Sequence, residues 1–105
     1  MNKLRLTPKA IRDLAEIKRY ISEELGNPTA ALRVVSRITQ ELRILQAHAE
    51  AGPSVEALTG YQTELRMLVC GQYIALYRVE EQIISVARII NARQDYMRVL
   101  FGDVE

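Results

Sequence analysis

The sequence predicts an α+β domain: an N-terminal strand, an antiparallel helix hairpin, a three-stranded antiparallel meander, and a short C-terminal helix or tail. Two observations carry this expectation. Apolar residues between Ile11 and Leu45 recur at three- and four-residue steps, as helices with one buried stripe require. From Glu64 onward the apolar residues instead fall into runs of strand length, divided by short breaks at Cys70-Gly71-Gln72 and Glu80-Glu81-Gln82.

Each element follows from local chemistry. Leu4-Arg5-Leu6 alternates apolar and charged, which marks a short strand. Thr7-Pro8 then supplies an N-cap and a proline at the first helical position, where the missing N–H costs nothing. Ile11, Leu14, Ile17, Ile21 and Leu25 mark the buried stripe of this first helix, and Gly26 is its C-terminal cap. Asn27-Pro28 repeats the start signal at once, so the second helix, with Leu32, Val35, Ile38, Leu42 and Leu45 on one face, must double back on the first. Ala51-Gly52-Pro53-Ser54 breaks it. A loop to Gly60 follows, with a turn around Val55-Glu56-Ala57-Leu58. After the meander, the segment from Gln94 to Phe101 closes the chain.

At 105 residues the chain is expected to form a single domain spanning 1–105. No apolar run approaches the roughly 20 residues of a membrane helix, and the N-terminus lacks the apolar core of a signal peptide. A cytoplasmic protein with no membrane association is expected. One cysteine, Cys70, allows no internal disulfide. A net charge of +1 excludes strong sequence-independent attraction to nucleic acid, so any such role needs local clustering. One histidine, His48, excludes a histidine metal cluster and a serine-type triad; it reads as a helix-end residue. Neither a metal nor any other cofactor is expected.

The arginines carry the functional argument. Arg66, Arg78 and Arg88 sit inside the predicted strands and Arg93 just beyond the last, and a guanidinium on a rigid strand is a planar five-donor fork suited to phosphate or carboxylate. Leu65, Met67 and Val69 are more apolar than Arg66, Leu68 and Cys70, so the first set is expected to face the helices. If Arg66, Arg78 and Arg88 share the opposite, open face, they frame a patch containing Ile74 and Leu76 that suits a partner segment or a nucleic acid. The competing reading makes them solvated residues or partners of Glu64, Glu80 and Glu81. Tyr73 and Tyr77, spaced by two, read as core and edge packing, and Cys70 beside Gly71 as a buried or turn residue.

The Pro28-Thr-Ala-Ala helix entry, the Leu65-Arg66-Met-Leu-Val and Tyr73-Ile-Ala-Leu-Tyr77-Arg78-Val79 blocks, and the Val86-Ala-Arg88-Ile-Ile-Asn-Ala-Arg93-Gln-Asp ending together resemble the RelE/ParE toxin superfamily of bacterial type II toxin–antitoxin modules. The resemblance covers nearly the whole chain. It implies a small toxin neutralised by a cognate antitoxin protein, whose flexible segment folds across it and covers Ile74 and Leu76. It also implies one of two targets: DNA gyrase, as for ParE-like members, or mRNA on the translating ribosome, as for RelE-like endonucleases. In the second case Arg66 and Arg93 match basic catalytic positions that work without metal, and Tyr96 stands near the place of a C-terminal catalytic tyrosine. The departures favour gyrase. Ile74 follows Tyr73 where the nuclease branch typically has arginine, and no lysine occurs between Tyr61 and Val79. His48 comes too early to replace the C-terminal histidine of some mRNA-cleaving relatives. A further alternative is an inactive member that binds antitoxin as a co-repressor.

Overall fold

Strand β1 (Lys3–Leu6) leads directly into helix α1 (Pro8–Arg19), which continues as a π-helical turn over Tyr20–Glu24. This is a computed structural model, and it describes residues 1–92. Helix α2 (Pro28–Ala47) returns antiparallel to α1, a short helix α3 (Val55–Thr59) follows, and β2 (Arg66–Cys70), β3 (Tyr73–Glu80) and β4 (Ile83–Asn91) complete the order. The α+β architecture is the expected one. The C-terminal helix or tail lies outside the described residues.

The helix starts behave as their sequences dictate. Thr7 Oγ1 accepts from the Ala10 N–H at 3.1 Å and Asn27 Oδ1 from the Ala30 N–H at 3.0 Å, each followed by proline. Gly26 adopts a φ of +63°, the left-handed geometry that ends the first helix. The stripe of α1 differs in phase from the expected one. Ala10, Leu14, Ile17 and Ile21 pack on the core, whereas Ile11 and Leu25 are exposed. The cause at the C-terminal end is the π turn, in which the Leu25 N–H bonds to the Tyr20 carbonyl at 3.0 Å and the extra residue rotates Leu25 outward.

The sheet order is β1-β4-β3-β2, with β1 parallel to β4 and the other neighbours antiparallel. Leu76 lies opposite Arg88 but Tyr77 opposite Val86, so Ala87 is the extra residue of a β-bulge. Since β1 ends at Leu6, the edge of β4 beyond Val86 would be left unpaired. The start of α1 covers it instead: Thr7 Oγ1 donates to the Ala87 carbonyl at 2.9 Å, and the Asp13 carboxylate accepts from the Ile89 N–H at 2.9 Å.

Both sheet faces carry a buried apolar cluster, which corrects the expectation of one open face. On the helix side Ile38, Leu42 and Leu45 of α2 and Ala10 of α1 meet Cys70, Ala75, Tyr77, Ile84, Val86 and Ile89. On the other side Val55 of α3, Leu65 and Met67 pack with Ile74, Leu76 and Ile90. The facing of β2 is also the reverse of that expected. Leu68 and Cys70 join the helix-side core, while Val69 is 59% exposed. Counting apolar residues fails on this strand because Leu65 and Met67 do find a core, on the opposite face.

Candidate functional site

Arg66 lies at the start of β2 on the helix-side parity. Its Nε donates to the Gly52 carbonyl at 2.7 Å, and a terminal nitrogen donates to the Glu50 carbonyl at 3.4 Å. These bonds belong to a small network. The Gly52 N–H donates to the Tyr77 hydroxyl at 3.0 Å, and that hydroxyl donates to the Ala49 carbonyl at 2.9 Å. The same loop lies along the edge of β2, with the Met67 N–H bonded to Pro53 O at 3.0 Å and the Val55 N–H to Leu65 O at 2.9 Å. Arg66 therefore ties the loop after α2 to the start of β2 through Nε and one terminal nitrogen. Neither the shared open face nor a pairing with Glu64 describes it.

Arg88 is likewise engaged. Its Nε and a terminal nitrogen form a fork onto Asp13 at 2.8 and 3.2 Å, so the guanidinium ties β4 to α1. Arg78 differs: it lies opposite Ser85, on the parity of Ile74 and Leu76, and its Nε is buried without a hydrogen-bond partner. Glu80 pairs with Arg5 of β1, at 3.7 Å. Ile74 and Leu76 were expected to form an exposed apolar patch, and this is corrected: they are 4% and 1% exposed, sealed into the cluster with Val55, Leu65 and Met67. The expected catalytic positions Arg93 and Tyr96 lie outside the described residues.

The structure brings together what sequence spacing did not suggest. The π turn, α2 and the β2–β3 turn enclose a cavity of about 510 Å³ lined by Tyr20, Ile21, Leu25, Val34, Arg37, Cys70, Gly71, Gln72, Tyr73 and Asn91. Burial raises the Tyr73 hydroxyl above the usual phenol range, and the nearby Tyr20 adds to the shift. Burial also pushes the Cys70 thiol up to about 12, with Glu41 adding to the rise and Arg37 opposing it. Such a thiol is protonated at neutral pH and is a poor nucleophile. Iodoacetamide at pH 8 is therefore expected to leave Cys70 unmodified in the folded protein and to alkylate it fully in denaturant. Labelling at equal rates in both states, read by intact mass, would contradict this burial.

Among the described residues no group of three His, Cys, Asp or Glu side chains could hold a metal ion. No helix among them is long and apolar enough to cross a membrane.

An N-terminal strand paired parallel to the last strand of a meander, with a helix hairpin across one face, defines a RelE/ParE-type toxin fold. The chain belongs to the family described as "ParE toxin of type II toxin-antitoxin system, parDE", whose profile matches residues 4–96. Among solved structures it is similar to a chain of the chromosomal ParDE toxin–antitoxin system of P. aeruginosa, with a TM-score of 0.74 and 27% identity over 89% of this chain and 98% of that one. It also shares its fold with a chain of the RelBE2 toxin–antitoxin complex of Mycobacterium tuberculosis, with a TM-score of 0.62 and 16% identity over 86% of this chain and 96% of that one. No curated protein matches significantly.

Proposed function

We propose that this toxin arrests growth in the cytoplasm by poisoning DNA gyrase rather than by cutting mRNA, and that a cognate antitoxin holds it in check. The observation that carries this reading is the engagement of Arg66. A residue in a catalytic role aims its donors at a substrate phosphate or hydroxyl, and here Nε and one terminal nitrogen are directed instead at the carbonyls of Gly52 and Glu50. Ile74, standing where the nuclease branch carries arginine, is a core residue and supplies no donor. An antitoxin segment reaching this face would meet Arg78 and Arg88 beside the cluster in which Ile74 and Leu76 pack with Val55, Leu65 and Met67. The family match and the ParDE likeness support an antitoxin partner.

Two assays on the same chain test the target. Supercoiling by purified gyrase is expected to fall as the toxin is titrated in, while primer extension after brief induction of the toxin alone finds translated messages intact. Removing a catalytic charge-stabilising donor costs a nuclease about 10²–10³ in rate. Discrete cuts in translated messages that vanish in Arg66→Ala, with supercoiling unaffected by the wild-type chain, would overturn the gyrase reading.

A further inference from the structure

Among the described residues, Arg78 is the one strand arginine without a partner. Arg5 pairs with Glu80, Arg66 bonds to loop carbonyls and Arg88 forks onto Asp13, whereas Arg78 has neither a hydrogen bond nor an ion pair. Its Nε is sealed from solvent. A buried, charged donor left unsatisfied is destabilising, and native structures hold few of them, so this one calls for an acceptor from outside the chain. We infer that Arg78 receives a carboxylate of the antitoxin, from an Asp or Glu side chain, and that an aliphatic neighbour of that residue seats in the cavity alongside. This rests on the antitoxin reading of the preceding proposal and names the chemistry of the contact.

The surroundings of Arg78 explain why no residue of the chain meets it. Ser85 faces it across the β3–β4 ladder and Arg5 lies beyond Ser85 on β1, so the row across the sheet reads arginine, serine, arginine. Glu80, two residues along β3 on the same face, is turned to Arg5 at 3.7 Å. Two guanidiniums are thus set against one carboxylate. Arg78 itself is half-buried, on the face that carries Ile74 and Leu76. A rotation of its side chain brings Nε and a terminal nitrogen onto a carboxylate as a fork, the geometry that Arg88 already makes with Asp13.

The cavity supplies the apolar half of the contact. Leu76, two residues before Arg78 on the same face, lines a space of about 510 Å³ with Leu65 and Ala87, and Lys9 and Arg88 also belong to its wall. No acidic residue lines it, and Lys9 forms no ion pair among the described residues, so it adds a second uncompensated cation. Aliphatic walls beside free positive charge suit an acidic and aliphatic polypeptide better than a nucleic acid. A nucleic-acid strand uses a run of cations and aromatic platforms for its bases. Here no aromatic residue lines the cavity, Glu80 and Asp13 interrupt the cations, and the chain carries a net charge of only +1. A single carboxylate flanked by aliphatic side chains avoids that repulsion, and its fork onto Arg78 satisfies both charges together.

Arg78→Met tests this because it moves stability and binding in opposite directions. Methionine keeps the apolar stem and removes the unsatisfied donor, so the free toxin is expected to melt at or above the wild-type temperature. Binding of the antitoxin, prepared as the product of the adjoining gene and measured by calorimetry, should weaken about tenfold or more. Replacing the antitoxin's Asp and Glu residues one at a time by Asn or Gln should find one whose loss weakens binding to the wild-type toxin but not to Arg78→Met. Equal affinity of the two toxins would overturn the inference and leave solvent as the acceptor. So would a variant that melts well below wild type, since Arg78 would then be satisfied within the chain. A weakened complex in which no acidic residue couples to Arg78, or an oligonucleotide bound through Arg78 more tightly than the antitoxin, would overturn it equally. A wild-type toxin that the antitoxin fails to bind would overturn the preceding antitoxin reading too, which distinguishes the two failures.

Discussion

Gly52→Ala is expected to destabilise the protein by about 3 kcal/mol, as overpacking and lost hydrogen bonds add together. A Cβ at this position would stand 2.4 Å from the Met67 carbonyl oxygen and 3.0 Å from the Tyr77 hydroxyl. The first of these is backbone, and the strand carrying it is held by β3, so the loop must retreat rather than the strand. Retreat breaks the Gly52 N–H bond to Tyr77 and draws the Gly52 carbonyl away from Arg66. The substitution thus opens the whole junction between the end of α2 and the sheet. Against a total stability of about 5–15 kcal/mol this is a large fraction, and urea unfolding monitored by circular dichroism would show it. A loss below about 0.5 kcal/mol, the size of an ordinary surface change, would mean that the loop does not lie against Met67 as described.

Asp13→Ala is expected to cost about 2 kcal/mol, lowering the melting temperature by roughly 10 °C for a domain of this size. Its carboxylate accepts from Arg88 twice and from the Ile89 N–H, so removal takes two bonds from the guanidinium and one from a strand-edge amide together. The pair is partly open to solvent, with side chains 33% and 17% exposed, and the figure is set below that of a fully buried ion pair for this reason. Asp13→Asn separates the two contributions. It retains an acceptor for Ile89 but not the charge for Arg88, and should recover about half of the loss. If alanine and asparagine melt alike, the edge amide contributes little and the ion pair carries the contact.

Much of the fold was legible because its boundaries are made by neighbours in sequence. Thr7-Pro8 and Asn27-Pro28 start helices through side chains that cap amides three residues on, and Gly71 turns β2 into β3 with a left-handed φ. The facing of β2 was not legible, since hydrophobicity assigns a side only when one face is wet, and here both are covered. The partners of the strand arginines were equally hidden. Arg66 bonds to the carbonyl of Gly52, in a loop that follows no period, and Arg88 reaches an aspartate 75 positions earlier. Strand periodicity shows that these side chains leave the sheet but not what meets them. The exposure of Leu25 escaped for a related reason: reading Ile11 to Leu25 as one stripe assumes 3.6 residues per turn throughout, and the π turn breaks that phase where Leu25 emerges.

The pairing of β1 with β4 also sets an order on the birth of this protein. Lys3 through Leu6 leave the ribosome first, yet their hydrogen-bonding partners are Ile83 through Val86, 80 positions later. Closing so long a loop is entropically costly and comes late. Until β4 emerges, α1 has no strand edge to cover, Asp13 has no guanidinium to hold, and Ile38, Leu42 and Leu45 face an unfinished sheet. The chain consequently cannot complete its core until β4 has emerged, and a nascent product or one terminated before β4 lacks the assembled sheet of the finished toxin.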